Sequence, residues 1–428
     1  MTHKFTAAGE HFIHDVHSGA IHIVPAEIYN EIDENNENKT YSAEIEALRK
    51  QSMLFTEETK ITVPTSEIVV KALCLHIAHD CNLRCKYCFA HTGDFGGKRS
   101  VMSAETAKSA IDWLVKMSGN RRNLEIDFFG GEPLMGWDTV VAAVDYARSI
   151  EKQHGKNFRF TITTNGVLLS DDKIEYINRE MSNVVLSLDG RKSVNDSMRP
   201  TPNDGGSFDI IVPKFKKLVK EREKTGKDYY VRGTFTAENL DFANDVEAIA
   251  ALGFDQLSVE PVVTDPAQPY AIKEEHIPAI KAEYDRLLDI MLSKTVTERY
   301  NFFHFMIDFD ASPCAIKRVR GCGSGCEYVA VTPEGDIFPC HQFAGQKKWE
   351  MGNLHKGDFD YAMAEDFSKA VLESKQNCGE CEVKYYCSGG CNANNFYANG
   401  DISIPYEIGC ELQKKRIECA IAYNSLRS

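Results

Sequence analysis

Short apolar strands alternate with amphipathic helices across residues 70–295 of this 428-residue chain. The predicted strands cover residues 72–78, 124–129, 159–164, 184–188, 230–235 and 256–260. Helical periodicity in the stretches between them, such as 104–117, 139–152 and 212–224, supplies the connections. Repeated β-α units require a parallel sheet with right-handed crossovers. We therefore expect an α/β fold, either doubly wound or a partial barrel.

A polar or glycine-rich motif lies at or near the end of each predicted strand. In chain order the motifs are the loop containing Cys81, Gly130-Gly131-Glu132-Pro133, Thr163-Thr164-Asn165-Gly166, Ser187-Leu188-Asp189-Gly190, Arg232 and Glu260-Pro261. The carboxyl ends of the strands in a β/α barrel lie at one edge, where active sites gather. The sequence therefore predicts a ligand site at this edge.

The first two motifs suit a ligand that carries an amino group and an aromatic base. Gly130 and Gly131 have no side chain, so a ligand can approach their backbone closely. Glu132 can accept hydrogen bonds from an ammonium group. Tyr87 offers a ring surface beside an adenine.

The later motifs suit hydroxyl groups and a carboxylate. Asn165, Ser187 and Asp189 are short polar residues that can bond ribose hydroxyls or a carboxylate. Arg232 can pair with a carboxylate through its planar fork. Asn165 and Asp189 each precede a glycine, so a role as simple turn formers is the alternative.

Three cysteines follow the first predicted strand with the spacing C-x3-C-x2-C. They are Cys81, Cys85 and Cys88. Iron–sulfur cubes are normally held by four thiolates. A loop with three thiolates therefore leaves one iron open to a ligand that is not protein. A zinc site, buried thiols or part of a disulfide set are the alternatives for such a triplet.

The C-terminal region, from Ser312 onward, holds ten of the fourteen cysteines. Those with candidate metal-ligating spacing are Cys322, Cys326, Cys340, Cys378, Cys381, Cys387, Cys391 and Cys410. They suffice for two further cubes, although the four between 378 and 391 also fit a zinc ribbon. Cys74, Cys314 and Cys419 are expected to be structural thiols, because buried free cysteine packs as a small apolar side chain.

The first 65 residues contain no cysteine and have a different pattern. Short strands are predicted between Lys4 and Val24, with a turn at His17-Ser18-Gly19. Helices are predicted over 27–32 and 41–54, separated by a polar loop at 33–38. This arrangement is typical of a small winged-helix-like module.

The bulk composition excludes several classes of protein. A net charge of −14 argues against a nucleic-acid or anionic-membrane partner, because either would call for a basic face. No apolar stretch approaches the length of a membrane span, and the N-terminus lacks the pattern of a signal peptide. We expect a cytoplasmic protein that uses its cysteines for metal rather than for disulfides.

The Cys81 triplet and the strand-end motifs together resemble the radical S-adenosylmethionine (SAM) enzymes. The resemblance implies a partial (β/α)6 barrel whose [4Fe–4S] cluster has an open iron chelated by SAM. It also implies that the SAM contacts come from Tyr87, Gly130, Gly131, Glu132, Asn165, Ser187, Asp189 and Arg232. The radical would be generated at that cluster, and no side chain is named as a general base.

The C-terminal cysteine pattern resembles the SPASM domain, which implies two auxiliary [4Fe–4S] clusters. On this resemblance Cys378, Cys381, Cys387 and Cys410 hold the distal cluster. Cys322, Cys340 and Cys391 hold the proximal one, with or without Cys326. Three domains are then expected: a precursor-peptide recognition element over 1–68, the barrel over 69–305 and the SPASM domain over 306–428.

The run from Asp15 to His22 is similar to the start of the SCIFF-peptide maturases. That similarity implies an oxidoreductase that forms Cys-to-Thr thioethers in a ribosomally made, Cys-rich precursor peptide (a RiPP), bound through its leader by strand addition. A reductant such as flavodoxin or ferredoxin is the other implied partner. The alternatives are an anaerobic sulfatase maturase that makes formylglycine and a maturase that forms carbon–carbon links. A non-catalytic peptide chaperone is a more distant alternative.

Overall fold

A computed structural model describes residues 1–32, 40–58, 68–309 and 319–427. The predicted loop 33–38 and Cys314 lie outside the described residues. The chain divides into two compact units. The terminal unit comprises Met1–Thr65, Lys273–Gly321 and Ala370–Ser428, and the barrel unit comprises Ser66–Ile272 and Cys322–Lys369.

The terminal unit begins with three short strands and two helices. They are β1 (Thr2–Ala7), β2 (Glu10–Asp15), β3 (Ile21–Val24), α1 (Ala26–Glu31) and α2 (Ala43–Lys50). The strands form an antiparallel sheet in the order β1-β2-β3, which makes β3 an edge strand. Ile13 of β2 packs with Tyr41 and Ile45 in a small apolar core. The predicted strands, their turn and both helices are therefore present in this module.

The barrel unit alternates strands and helices along the chain. They are β4 (Ala72–Ala78), α3 (Ala104–Met117), β5 (Asn123–Gly130), α4 (Trp137–His154), β6 (Asn157–Thr164), α5 (Asp171–Glu180), β7 (Asn183–Ser187), α6 (Lys192–Met198), α7 (Phe208–Glu223), β8 (Asp228–Phe235), α8 (Phe242–Ala251) and β9 (Gln256–Pro261). Each of the six predicted strands is observed, and β4 has the predicted bounds.

The terminal unit continues with α9 (Ile277–Ser293) and β10 (Asn301–Phe302). The second segment of the barrel unit adds β11 (Tyr328–Val331), β12 (Asp336–Phe338), β13 (Gly352–Asn353) and α10 (Tyr361–Lys369). The last segment of the terminal unit holds α11 (Lys384–Cys387), α12 (Asn392–Asn399) and α13 (Glu407–Leu426).

The sheet of the barrel unit has the strand order β9-β8-β7-β6-β5-β4-β11-β12-β13. Neighbouring strands from β4 to β9 are all parallel. A doubly wound sheet reverses its strand order at a switch point, and no reversal occurs between β4 and β9. The α/β fold is therefore a partial (β/α)6 barrel. β11 extends it in parallel beside β4, and β12 and β13 follow as antiparallel strands.

The two faces of the barrel sheet differ in burial. On β5, Leu124, Ile126 and Phe128 are fully buried, whereas the alternate residues Glu125 and Asp127 keep access to solvent. Side chains alternate between faces along a strand, so the apolar set packs beneath the helices. The other set lines the inner face of the barrel, which is polar and partly open.

A second core in the terminal unit joins the N-terminal module to the cysteine-rich segment. Val16 packs there with Val319, Leu372, Cys378 and Tyr385. None of the helices in the described residues combines the length and the apolar character that crossing a membrane requires.

Candidate active site

The loop that carries Cys81, Cys85 and Cys88 follows β4 and is fixed by backbone hydrogen bonds. The Arg84 N–H donates to the Pro200 carbonyl at 2.8 Å, and the Lys86 N–H donates to the Met198 carbonyl at 2.9 Å. All three thiols are half-buried and free. These hydrogen bonds satisfy backbone N–H groups of the loop with carbonyls outside it. The three sulfur atoms remain available as ligands.

The thiols of this loop lie close enough to affect one another. Burial raises the pKa of Cys81 to about 12, with further upward contributions from Glu132, Cys85 and Cys88. Burial also raises the pKa of Cys85 to about 11. This site disfavours free thiolates. Three neighbouring thiols can lose their protons there when they bind a metal, because metal ligation deprotonates a thiol.

Hydrogen-bond donors point at the Cys81 sulfur. The Leu83 N–H lies 3.4 Å from Cys81 Sγ, and Asn165 Nδ2 lies 3.6 Å from it. Donors of this kind stabilise thiolate ligands and tune iron–sulfur clusters. The three-thiol set therefore fits a [4Fe–4S] cluster, and Asn165 of the third strand-end motif belongs to its surroundings.

Gly130 and Gly131 pack against the backbone that leads into the cysteine loop. A Cβ at Gly130, where φ is +113°, would overlap the carbonyl oxygen of Ala78. A Cβ at Gly131 would overlap the carbonyl oxygen of Asp80. This contact within the protein explains why neither position carries a side chain. The sequence alone suggested a different reason, the close approach of a ligand.

Glu132 is buried at the end of β5 with both carboxylate oxygens engaged. One oxygen accepts from Thr164 Oγ1 at 2.7 Å and from the Leu134 N–H at 3.1 Å. The other accepts from the Asn165 N–H at 2.8 Å. Burial raises the pKa of Glu132, against these hydrogen bonds. The carboxylate is thus held rigidly beside Cys81, where its remaining acceptor capacity suits an ammonium group.

Asp189, Tyr87 and Arg199 form a buried polar cluster behind the cysteine loop. The Tyr87 hydroxyl donates to Asp189 at 2.6 Å, and Arg199 donates to the Tyr87 oxygen at 2.8 Å. Arg199 also lies 3.9 Å from the Asp189 carboxylate, and its charge opposes the rise that burial causes in the pKa of Cys85. Two predicted site residues, Tyr87 and Asp189, are therefore brought together.

Arg199 was not among the predicted site residues. It is almost fully buried, and its Nε has no hydrogen-bond partner among the described residues. A buried guanidinium nitrogen without a partner indicates a missing acceptor. In the sequence, Arg199 is an isolated arginine that follows α6. The one sequence feature that could have indicated a role in the site is its closeness along the chain to the fourth strand-end motif.

Ser187 and Arg232 lie side by side on neighbouring strands of the inner face. The Arg232 side chain is exposed. Burial lowers the pKa of His341 to about 4, and Arg232 contributes to that shift. Arg232 therefore faces the region of His341, whereas Arg199 is the arginine that lies next to the cysteine loop.

Three further cysteines belong to the second segment of the barrel unit. Cys326 and Cys340 are buried and Cys322 is exposed. The β11–β12 hairpin separates Cys326 from Cys340 and places Cys340 beside Tyr328 of β11. Cys391, the remaining predicted ligand of the proximal set, belongs to the terminal unit.

The four cysteines of the predicted distal set gather in the terminal unit. Burial raises the pKa of Cys410 to about 12, with additional contributions from Cys387, Cys378 and Cys381. Helix α13 supplies Cys410, and the segment around α11 supplies the other three. Across residues 1–32, 40–58, 68–309 and 319–427, no three His, Cys, Asp or Glu side chains are close enough to hold a single metal ion.

Two family models match the chain in the regions just described. Residues 75–221 match the radical SAM superfamily, and residues 322–383 match the SPASM iron–sulfur cluster-binding domain. Together they cover the three-cysteine loop, the first four strand-end motifs and five of the C-terminal cysteines, Cys322, Cys326, Cys340, Cys378 and Cys381.

Curated relatives are similar over most of the chain. The radical SAM cyclopropyl synthase TigE of Paramaledivibacter caminithermalis is 25% identical over 377 residues, covering 81% of this chain and 72% of that protein. A cysteine-type anaerobic sulfatase-maturating enzyme of Clostridium novyi is 24% identical over 335 residues, covering 74% and 86%.

Solved structures share the fold. His-tagged anSMEcpe with bound AdoMet has a TM-score of 0.66 at 18% identity, and the match covers 83% of this chain and 97% of that one. SuiB of Streptococcus suis bound to the precursor peptide SuiA has a TM-score of 0.55 at 16% identity and covers 86% and 87%.

Proposed function

Because the chain is a radical SAM enzyme with a SPASM domain, we propose that it installs Cys-to-Thr thioether cross-links in a ribosomally made, Cys-rich precursor peptide. The observation that carries this proposal is a three-stranded N-terminal module, packed in one unit with the distal cysteines, whose edge strand β3 is unpaired on its outer side among the described residues. Such a module suits recognition of a leader peptide, which sulfatase maturation does not require.

The barrel residues bind and orient the cofactor in this proposal. Cys81, Cys85 and Cys88 would hold the SAM cluster, which supplies a 5′-deoxyadenosyl radical that removes hydrogen from carbon. Glu132 would accept from the SAM ammonium, and the unpartnered Nε of Arg199 would donate to its carboxylate. Arg199 offers the planar fork that a carboxylate prefers.

Forming a thioether removes two hydrogens from the peptide. One leaves the acceptor carbon as a hydrogen atom, and the other leaves the donor thiol as a proton. Closing the carbon–sulfur bond then releases one electron. The C-terminal thiols would hold two auxiliary clusters that accept this electron, and a flavodoxin or ferredoxin would supply the electron that starts each turnover.

The free edge of β3 offers the leader two backbone positions. The Asp15 N–H donates to the Ala20 carbonyl at 2.9 Å, so Ala20 faces β2. Positions alternate along an antiparallel pair, so His22 also faces β2 whereas Ile21 and Ile23 face outward. Within the described residues, the backbone groups of Ile21 and Ile23 have no hydrogen-bond partner. An extended peptide can pair there as a fourth strand.

A cavity adjoins this edge within the terminal unit. Its volume is about 750 Å³, and its lining includes Ile21, Met53, Met306, Asp308 and Asn424. A space of this size next to free backbone groups suits side chains of a bound peptide. We assign it to the leader rather than to the reacting residues.

Formylglycine formation is the second candidate. The sequence similarity to sulfatase-maturating enzymes favours it. Both reactions would modify a peptide by removing hydrogen from carbon, so the product distinguishes them.

Tandem mass spectrometry after anaerobic co-expression with the small Cys-rich peptide encoded beside the gene tests the proposal. Thioether formation removes two hydrogens per link, and the donor cysteines then resist alkylation after reduction. Formylglycine at a cysteine would replace the thiol with an aldehyde and establish the second candidate. An unmodified peptide, despite intact clusters and SAM cleavage, would overturn the thioether assignment.

A further inference from the structure

A buried lysine lies among the distal cysteines of the terminal unit. Lys375 is 4% exposed and comes three residues before Cys378 in the sequence. The Cys378 N–H donates to the Lys375 carbonyl at 3.3 Å, so the two residues share one tight turn. Because burying an ammonium group is costly, its place beside a predicted cluster ligand indicates a role for the charge.

The Lys375 ammonium holds the turn that separates Cys387 from Cys391. Its Nζ donates to the Gly389 carbonyl at 2.9 Å and to Asn392 Oδ1 at 2.8 Å. Both of these acceptors are uncharged, so the two bonds fix the ammonium without neutralising it. The lysine stem also packs on the turn, because a Cβ at Gly389 would lie 2.5 Å from Lys375 Cδ. Lys375 is therefore attached to this turn both by its ammonium group and by its carbon chain.

The turn directs two backbone donors at a thiol. Ser388, Gly389 and Gly390 have φ values of 58°, 79° and 72°, all in the left-handed region. The N–H groups of Gly389 and Gly390 donate to the Cys387 sulfur. Successive N–H groups that converge in this way form an anion-binding concavity, which is found at many iron–sulfur sites. The Cys387 sulfur thus lies in a cradle that favours negative charge.

The charge of Lys375 acts on two of the four distal thiols. Burial raises the pKa of Cys378 and of Cys387, and Lys375 opposes the rise at both. Arg416 acts with it at Cys387. A [4Fe–4S] cube takes four thiolates, and with them it carries a net negative charge. Four neighbouring thiols with N–H donors and buried positive charge around them therefore fit such a cube.

Lys414 is a second lysine near the distal thiols. Its charge opposes the rise that burial causes in the pKa of Cys381 and Cys410. It forms ion pairs with Glu382 at 3.1 Å and with Glu411 at 3.7 Å, and its side chain is 32% exposed. Two carboxylates balance this charge and solvent screens it. Lys414 therefore provides an internal comparison for Lys375.

Hydrogen bonds to the sulfurs and the surrounding charge set the reduction potential of an iron–sulfur cluster. We propose that Lys375 is a positioning residue that holds the 388–390 turn against Cys387 and raises the reduction potential of the distal cluster. Reduction adds one negative charge, which a buried ammonium and two N–H donors stabilise. A raised potential favours transfer to this site of the one electron that the peptide loses when the carbon–sulfur bond closes. The inference rests on the proposed function in requiring a cluster on the four distal thiols.

Redox titration of the full-length holoenzyme, followed by electron paramagnetic resonance, measures this potential. The distal signal is the one that Cys410→Ala lacks. Lys375→Met keeps the length of the side chain without its charge, and it should lower the equilibrium constant for reduction about tenfold, or about 59 mV for one electron. Lys375→Arg should restore most of the potential. Lys414→Met is the matched control and should shift the potential much less, because Glu382 and Glu411 balance its charge.

Asn392→Asp provides a second test with an isosteric side chain. The carboxylate accepts the same hydrogen bond from Lys375, but its negative charge neutralises the ammonium, so the distal potential should again fall. A wild-type potential in N392D overturns the role of Lys375, whether or not K375M assembles its cluster. A full iron content in C410A would overturn the cluster on these thiols, and this inference with it. The titration uses no peptide, so its outcome is separate from a failure to form thioethers.

Discussion

The Lys384 ammonium donates to the Glu58 carboxylate at 2.6 Å within the terminal unit. Lys384 is almost fully buried and also donates to the Gly379 carbonyl at 2.9 Å. Glu58 follows the N-terminal module, whereas Lys384 lies between Cys381 and Cys387. This ion pair therefore connects the module to the segment that carries the distal cysteines.

Replacing Glu58 with Gln should destabilise the terminal unit, because the buried ammonium loses its counter-ion. Glu58 is about half exposed, so solvent screening limits the loss to about 1 kcal/mol. For a chain region of this size that corresponds to a fall in Tm of about 2–4 °C. The neighbouring Glu57→Gln is the matched control. Equal Tm values for the two variants, measured anaerobically by circular dichroism, would contradict this role.

Arg199→Gln should weaken SAM binding, because the variant removes the guanidinium beside Cys85 and Tyr87. We expect the affinity for SAM to fall about 100-fold, as for loss of a charge-assisted hydrogen bond of about 2.7 kcal/mol. Arg199→Lys should restore little, since a lysine lacks the planar fork. Equilibrium dialysis with SAM measures the effect, and the exposed Arg179→Gln is the control. Normal SAM affinity in R199Q would remove Arg199 from the site.

Ile23→Pro should weaken leader binding without disturbing the pairing of β2 with β3. Proline removes the N–H of Ile23, which faces the free edge, and proline is tolerated on edge strands. Losing one backbone hydrogen bond of about 1.4 kcal/mol weakens the dissociation constant about tenfold. Fluorescence anisotropy with a labelled precursor peptide gives the constant, and Ile23→Val is the control. Unchanged affinity in I23P would place the leader elsewhere.

Cys410→Ala should remove the iron of one cube while leaving SAM cleavage intact. Cys410 lies among the distal thiols, and Cys419, on the same helix, is buried as a free thiol. Cys419→Ala should therefore keep the full iron content, although it creates a small cavity. Iron analysis with electron paramagnetic resonance spectra of the reduced proteins compares them. A normal iron content in C410A would exclude Cys410 as a ligand.

Asp127 should make the stability of the barrel unit depend on pH. Its folded pKa of about 7 lies above the ordinary value of 3.8, so the folded state binds more protons between these values. Stability is then lost as pH rises from about 4 to 7. D127N should be more stable than wild type at pH 8, by at most about 4 kcal/mol, and the difference should shrink toward pH 4. A difference in Tm that does not change with pH would show that the carboxyl has an ordinary pKa.

Periodic patterns predicted the strands and helices well, and local backbone geometry explains where they failed. The strand over 72–78 has the predicted bounds because it is almost continuously apolar and buried. The helix predicted over 41–54 is shorter, because Ser42 precedes its first turn and Ser52 adopts a φ value of 55° just after its end. This left-handed conformation ends the helix, and serine carries no sequence signal for it.

Within the site, the residues found from sequence are those next to strand ends or with metal-ligand spacing. Glu132, Asn165 and Asp189 were predicted because each belongs to a motif at a strand end. The surroundings of Arg199 and Asp127 arise from tertiary contacts. Arg199 contacts Tyr87, and Asp127 lies in register with Cys74 and Thr161 on the neighbouring strands. Neither has a motif of its own.

The shared packing of Val16 with Leu372, Cys378 and Tyr385 restricts how such enzymes can be recombined. A chimera that exchanged only the N-terminal module for one of different peptide specificity would place a foreign side chain against a predicted cluster ligand. Retargeting by module exchange therefore needs a graft in two parts, the module together with its complementary surface around residues 372–385.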